Sequence, residues 1–301
     1  MNSWDIDETY KNNAVTEDLQ EDWDLEIKPH SSVFNLHLKD VWAYRDLLWL
    51  LVRRDFVSFY KQTIFGPLWF FIQPIFTTFI FVFIFSSLAK ISTNHAPPAL
   101  FYMAGTVAWN YFSDSLNKTS TVFRDNVNIF GKVYFPRLIM PLSIIFSNLV
   151  KFGIQLILFL LILFYYIFFP MPGFKIEPNW FILLFPVIIL LMALLGLGLG
   201  LIITAMTTKY RDLIFLVTFG VQLLMYATPV IYPLSVAPAR LRTIVTLNPL
   251  SGLIETFRYG FLGTGQFYPA ALAYSIVASI VIFFIGLVVF NRVEKNFVDT
   301  I

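Results

Sequence analysis

The chain has 301 residues, of which 57% are hydrophobic and only 13% carry a charged side chain, and its mean hydropathy is +0.71. Because soluble domains are about one quarter charged, most of this chain is expected to lie in lipid. The net charge of +2 gives no indication of a nucleic-acid-binding surface. The absence of cysteine excludes disulfides, thiolate metal sites and cysteine nucleophiles.

The N-terminal segment, residues 1–38, is rich in aspartate and glutamate. This composition is typical of a weakly structured segment, and we predict an acidic, flexible cytoplasmic tail. Its role stays open, because a solvated tail with no task has the same composition.

Residues 40–61 predict an amphipathic helix that lies on the membrane surface, directly before the first long apolar run. Apolar side chains recur at helical spacing along one side, among them Val41, Trp42, Trp49 and Val52. Charged side chains fall on another side, at Asp46, Arg53, Arg54 and Lys61. This interfacial helix either only anchors the chain or also contacts a cytoplasmic partner.

Crossing about 30 Å of hydrocarbon takes about 20 helical residues. The sequence predicts an all-α membrane protein with six transmembrane helices, near residues 64–89, 99–116, 142–169, 180–207, 212–233 and 269–291. The second run is interrupted by Asn110 and Asp114, which we expect to face protein or a watery path, because lipid would leave them unsatisfied. Gly196 and Gly200 in the fourth run have the spacing of closely packed membrane helices.

Lysine and arginine accumulate on the cytoplasmic side of membrane proteins. With the N-terminus inside, fifteen of the 21 basic residues fall in cytoplasmic segments, five fall outside, and Lys151 falls within a span. Both termini are therefore predicted to be cytoplasmic. Residues 39–295 form the predicted transmembrane domain, and residues 296–301 form a short cytoplasmic tail.

The loop between the second and third spans contains Pro136 and Pro141, and each proline restricts the residue before it. Arg137 is therefore expected to project from a stiff corner. Such a corner is suited to transmit a push from a cytoplasmic partner, although ordinary loop packing explains it equally well.

The segment between the fifth and sixth spans predicts two short re-entrant helices, near residues 237–247 and 248–263. Asn248 followed by Pro249 is a typical helix start, and Gly263 suits the helix end. Glu255 and Arg258 are three residues apart and are expected to pair. The pair is either structural or part of a gate on a transport path.

Aromatic residues make up 18% of the chain, and those near the membrane surfaces are typical of interfacial belts. Others lie in or beside the spans, where aromatic faces pack against the C–H faces of sugar rings and polar tips bond hydroxyl groups. The candidates for such a substrate path are Trp69, Tyr102, Trp109 and Tyr226.

The sequence contains no phosphate-binding loop, no serine-hydrolase or zinc-protease motif, and no histidine cluster. We therefore predict no catalytic residues, no metal site and no cofactor bound by this chain. Energy for any uphill transport would enter through a partner.

Three segments carry a family resemblance: RRDFVSFYKQTIFGPLWFFIQP, YFPRLIMPLS and NPLSGLIETFRYG, at residues 53–74, 134–143 and 248–260. Together and in this order they resemble the membrane subunit of ABC-type polysaccharide exporters. This type-2 export family includes the O-antigen and teichoic acid permeases. The resemblance covers roughly residues 35–295.

The resemblance implies a homodimer of six-span subunits in the cytoplasmic (inner) membrane, with two separate ATPase subunits that bind ATP and Mg²⁺. The substrate would be a lipid-linked glycan, and the other contacts would be membrane lipid but no nucleic acid. The implied ATPase-coupling residues are Arg53, Arg54, Asp55, Lys61, Phe135, Pro136 and Arg137. The implied outer re-entrant gate contains Pro249, Glu255 and Arg258. We expect the dimer to form through spans one and five, since a symmetric pair closes a path that six spans leave open.

Other functions fit the same pattern. An exporter of a drug or small lipid would have a narrow cleft lined by Met or Leu. A membrane glycosyltransferase or acyltransferase would need convergent catalytic acids or a histidine in a cavity. A membrane scaffold without transport is disfavoured by the charged coupling segments.

Overall fold

The computed structural model describes residues 38–297 apart from residues 62, 131–134 and 211. Within those residues the protein is helical and contains no strand, which confirms the predicted all-α class. Residues 1–37 of the predicted acidic tail and residues 298–301 of the predicted C-terminal tail lie outside the described residues.

The described helices, in chain order, are α1 (Leu38–Ala43), α2 (Arg45–Tyr60), α3 (Trp69–Phe81), α4 (Pro98–Thr119), α5 (Val122–Asp125), α6 (Val127–Phe130), α7 (Ile139–Phe168), α8 (Phe185–Thr207), α9 (Leu213–Tyr226), α10 (Ala239–Leu247), α11 (Pro249–Leu262) and α12 (Pro269–Phe297). Short 3₁₀ segments, Gly66–Leu68 and Trp180–Leu184, precede α3 and α8. A π-helical segment, Val82–Leu88, continues α3.

Four described helical segments are long and apolar enough to cross a membrane, so the chain is a membrane protein. They coincide with the predicted first, third, fourth and sixth spans: Gly66–Leu88, Ile139–Phe168, Trp180–Thr207 and Pro269–Val293. The second and fifth predicted spans correspond to α4 and α9, which are helical but differ from these four in polarity or length.

Helix α4 lies at the centre of the packed helices and contacts α3, α7, α8, α9 and α11. Fifteen of its 22 residues are buried, including Phe101, Tyr102 and Phe112. Its polar residues make it less apolar than its neighbours, so burial in protein rather than exposure to lipid is the stable solution. The expectation that Asp114 faces protein is confirmed, because its carboxylate bonds Lys151 of α7.

Helix α9 is only 14 residues long and therefore about 21 Å at 1.5 Å per residue. The predicted boundary at residue 233 is wrong, because the helix ends at Tyr226. Pro229 and Pro233 follow shortly and supply no N–H group to continue the helix. The apolar run that suggested a full span thus includes a turn.

The predicted continuous helix over residues 40–61 is instead two helices, α1 and α2, separated at Tyr44. The buried face also differs from the prediction: Leu48, Leu51 and Val52 are buried, whereas Trp42 and Trp49 are 72% and 57% exposed. Apolar residues surround much of this helix, so spacing alone does not decide which of them face protein. Packing against α7 selects the leucines and the valine.

The two helices predicted between the fifth and sixth spans are present as α10 and α11. The Asn248 side chain accepts a hydrogen bond from the Leu250 N–H at 3.0 Å, and Gly263 ends α11 with a φ of 66°. Every residue of α11 is buried except Pro249 and Tyr259. Local capping signals therefore define this helix, and the surrounding protein shields it.

Glycines set the closest approach between α8 and its neighbours. Gly196 and Gly200 pack against Ser115 and Thr119 of α4, which confirms the expected close contact. A Cβ atom on Gly198 would lie 2.7 Å from the Cα atom of Phe283 in α12. Because that neighbour is backbone, a side chain at residue 198 would force the two helices apart.

We predict that Gly198→Val lowers the thermal unfolding midpoint of the purified protein, because overpacking of this kind costs about 1–3 kcal/mol. The control is Gly153→Val in α7, where an added Cβ atom meets nothing within 4 Å. Tryptophan fluorescence during heating in mild detergent would measure both. Equal midpoints for the two variants would contradict the close packing of α8 and α12.

Candidate substrate groove and coupling segments

A groove of about 460 Å³ lies between α4 and α9. Its wall combines aromatic, polar and apolar side chains: Trp109, Ser113, Asn117, Thr218, Phe219, Val221, Gln222, Leu223, Met225 and Tyr226. The polar and aromatic members recur every four residues on each helix, at 109, 113 and 117 on α4 and at 218, 222 and 226 on α9. This spacing puts each set on one helical face.

The structure separates the four aromatic residues predicted for a substrate path. Trp109 and Tyr226 line the groove together. Tyr102 is fully buried and packs against Phe81 and Phe85, so it reaches no open surface here. Trp69 lies on α3, is 40% exposed, and contacts the ring of Phe65 edge to face.

Polar groups on exposed helix faces are unevenly distributed. Gln73 on α3 and Thr218 and Gln222 on α9 are exposed. On α7, on α8 and on α12 as far as Phe290, every exposed residue is apolar or aromatic. Amide groups are costly against hydrocarbon, so the exposed faces of α3 and α9 are suited to protein or water rather than lipid. Sequence reasoning missed these glutamines, although their position within apolar runs was a usable signal.

The two segments predicted to couple with an ATPase pack against each other. Phe135 is 6% exposed and belongs to a cluster with Leu48, Leu51 and Val52 of α2 and with Ile139 at the start of α7. We call this the α2–α7 cluster. Burial of several apolar side chains fixes α2 to the loop before α7, so a displacement of one moves the other.

The charged residues of these segments lie at the border of the cluster. Arg53 and Lys61 are exposed, and Pro136 and Arg137 are half-buried. Arg54 and Asp55 form an ion pair with an N–O distance of 2.7 Å. The second Asp55 oxygen accepts a 3.5 Å contact from the Ser147 hydroxyl of α7.

A polar network connects α4 to α7 beside this region. The Lys151 ammonium lies 2.7 Å from an Asp114 carboxylate oxygen. Lys118 donates to the Asn148 side-chain oxygen at 3.1 Å, and the Asn148 amide donates to the Ser115 hydroxyl at 3.4 Å. The sequence marked Asp114 and Lys151 as unusual within spans but did not pair them.

Glu255 and Arg258, predicted as members of an outer gate, form a buried ion pair with an N–O distance of 2.9 Å. The other terminal nitrogen of Arg258 donates to the carbonyl oxygens of Pro229 and Val230 at 3.0 and 2.9 Å. Glu255 also accepts from the Leu234 N–H at 3.3 Å. The pair therefore holds the turn after α9 against α11, with Pro249 at the first position of that helix.

Phe101 of α4 completes this contact, because the Arg258 guanidinium carbon lies 3.8 Å from the centre of its ring. Glu255 and Arg258 are only 6% and 2% exposed, so water does not compensate either charge. We call the pair with its backbone partners the outer clamp. Within the described residues, no group of three or more metal-ligating side chains occurs.

We predict that Arg258→Met strongly destabilises the protein, by about 3–5 kcal/mol, since it leaves the Glu255 carboxylate buried without its partner. The double variant Glu255→Gln, Arg258→Met should recover part of the loss, because the glutamine is neutral and still accepts from Leu234. Thermal unfolding of the single and double variants in detergent measures the difference. A double variant no more stable than Arg258→Met would contradict the buried pairing.

The matched relatives share most of the chain. Residues 46–262 match the family model described as "ABC-2 type transporter". The chain is 26% identical over 255 residues to an O-antigen export system permease protein RfbA of Klebsiella pneumoniae, covering 84% of this chain and 94% of that protein. It is 29% identical over 223 residues to the protein of the same name from Myxococcus xanthus, covering 73% and 82%. Because the family model spans most of the chain, from α2 to the end of α11, this membrane protein belongs to the ABC-2 type transporter family.

Proposed function

We propose that this chain is the permease subunit of an ATP-driven exporter that moves a lipid-linked glycan across the cytoplasmic membrane. The observation that carries the proposal is the similarity to O-antigen export permeases over nearly their whole length, up to 94% of one relative. The groove between α4 and α9 supports it, because its mixture of aromatic and hydrogen-bonding side chains suits a sugar chain.

The proposed topology has six spans, with α4 as the second and α9 as the fifth, and both termini in the cytoplasm. The outer clamp and the helices α10 and α11 then lie toward the outer surface, where they re-enter the bilayer without crossing it. The buried surroundings of α11 support this placement, since a short helix in the membrane needs protein around its ends.

A two-fold dimer would complete the path. The exposed faces of α3 and α9 carry Gln73 and Gln222, whose amides need a partner or water. A second copy, packed through the same faces, covers these groups and converts two open grooves into one enclosed channel.

The energy would come from two copies of a separate ATPase subunit that holds ATP and Mg²⁺. The α2–α7 cluster gives such a partner a mechanical connection, because α2 and the loop at Phe135 are packed together. Arg53, Arg54 and Arg137 lie at its border and would meet the partner.

An exporter of a small lipid is the second candidate, because Leu223 and Met225 give part of the groove an apolar wall. Export assays decide between them. The chain, co-expressed with its ATPase, should carry glycan to the cell surface, and a complex that exports lipid but no glycan would favour the second candidate.

We predict that the double variant Trp109→Ala, Tyr226→Ala reduces glycan export severely and that each single change reduces it partially. Each aromatic–sugar contact is worth on the order of 1 kcal/mol, by analogy with aromatic pairs, and a moving chain uses many weak contacts. Surface glycan measured with a lectin gives the readout. The control Phe164→Ala, Phe284→Ala removes two exposed rings from α7 and α12. Normal export by the groove variant, with normal assembly, would exclude the groove as the path.

We predict that Gln73→Cys, Gln222→Cys protein forms a covalent dimer with a flexible bis-maleimide in native membranes. The natural chain has no cysteine, so every cross-link reports the introduced residues. The control Leu161→Cys, Phe284→Cys places the thiols on exposed apolar faces of α7 and α12, and it should stay monomeric. Equal yields for the two proteins would contradict a dimer through α3 and α9.

We predict that Arg54→Glu or Arg137→Glu lowers export at least several-fold while the complex still hydrolyses ATP. Charge reversal at the border of the α2–α7 cluster should disturb contact with the ATPase without affecting membrane insertion. Arg292→Glu, an exposed residue near the end of α12, is the control. Export and hydrolysis are measured together in proteoliposomes, and an unchanged ratio would remove that arginine from coupling.

A further inference from the structure

Lys118 is the feature that the groove and the coupling segments leave unexplained. It is exposed and lies in the last turn of α4, one residue beyond Asn117, which lines the groove. Successive helical residues are about 100° apart, so Lys118 occupies the face of α4 next to the groove. The proposed topology puts this end of α4 in the cytoplasm, where a cargo would enter.

The charges around Lys118 do not balance. Asp114, Asp55 and Lys151 all act on it electrostatically. Asp114 already contacts Lys151, and Asp55 already contacts Arg54, so each of these pairs is neutral. Lys118 itself bonds the neutral oxygen of Asn148, and among the described residues it contacts no carboxylate. One positive charge is therefore left over at the end of the groove.

We propose that Lys118 binds a phosphate group carried by the lipid-linked cargo, at the point where the cargo enters the groove. This inference rests on the proposed function and names the chemistry of the cargo that this site would recognise. An ammonium group acts as a compact point charge and suits a phosphate without fixing its orientation. A single lysine with an adjacent amide at Asn117 gives weak attraction, which allows the cargo to move on.

The neighbouring pair modulates this charge. The Asp114 carboxylate neutralises Lys151 and thereby limits the positive potential around Lys118. Its removal leaves two uncompensated lysines, which should bind a phosphate more tightly. Loss of Lys118 has the opposite effect, so two substitutions in one network change affinity in opposite directions. A purely structural network would not give this pair of results.

The test uses the full chain in phosphatidylcholine nanodiscs and farnesyl diphosphate as the probe, with calorimetry corrected for empty discs. Lys118→Gln retains a donor for Asn148 but should bind about tenfold more weakly, since charged hydrogen bonds contribute on that scale. Lys118→Arg should bind like the natural chain, and Asp114→Asn should bind more tightly. Lys209→Gln, an exposed lysine after α8, should be unchanged. Equal affinity of Lys118→Gln and the natural chain overturns the proposal.

Two further arms identify the source of the phosphate. In phosphatidylglycerol nanodiscs the affinity should stay within about twofold of the phosphatidylcholine value, which corresponds to about 0.4 kcal/mol. A loss that depends on Lys118 would instead assign the site to membrane lipid. Inorganic diphosphate should bind much more weakly than the probe, and equal binding would indicate free phosphate. Export by the natural complex is measured separately, so failure of this site and failure of glycan export are distinct results.

Discussion

Polar groups within the membrane must find partners inside the protein, and the arrangement of the helices around α4 follows from that constraint. Helix α4 carries Asp114, Ser115 and Lys118, which would be costly against lipid. Neighbouring helices supply the partners, with Lys151 and Asn148 on α7. The apolar faces of α7, α8 and α12 are then free to point outward.

The groove is the side of α4 that this burial leaves open. Trp109, Ser113 and Asn117 point toward α9 rather than into the core, and α9 answers with Thr218, Gln222 and Tyr226. A wall made of two such faces is wetter than the lipid-facing surface and more apolar than a water-filled pore. That intermediate character is what a chain of sugars, with C–H faces and hydroxyl rims, requires.

The two ends of this wall are held by interactions of different strength. At one end the outer clamp buries Glu255 and Arg258 and ties the turn after α9 to α11. Separating that pair would expose an uncompensated charge to the interior, which is expensive. At the other end, Arg54 and Asp55 form a half-exposed pair of a kind that contributes little to stability. Movement is therefore cheaper at the α2 end, where the proposed ATPase would act.

Local signals in the sequence determined the helices themselves. Asn248, Pro249 and Gly263 define α11 through backbone hydrogen bonds and a left-handed φ, all of which depend on neighbours in the chain. The apolar runs likewise predicted four membrane-crossing segments, and the polar residues of the second run predicted that it needs protein around it. The error at α9 arose because hydropathy does not register the turn before Pro229.

Tertiary structure alone decided which faces meet. Asp114 and Lys151 are 37 residues apart, and Arg258 reaches carbonyl groups 28 and 29 residues away. Helical spacing defines a face but not the element opposite it, which is why α2 buries Leu48 and Leu51 while Trp42 and Trp49 stay exposed. The sequence by itself determined an all-helical membrane permease with its family. The pairing of α4 with α9 into a groove, and the ion pairs beside it, exist only because packing brings distant segments together.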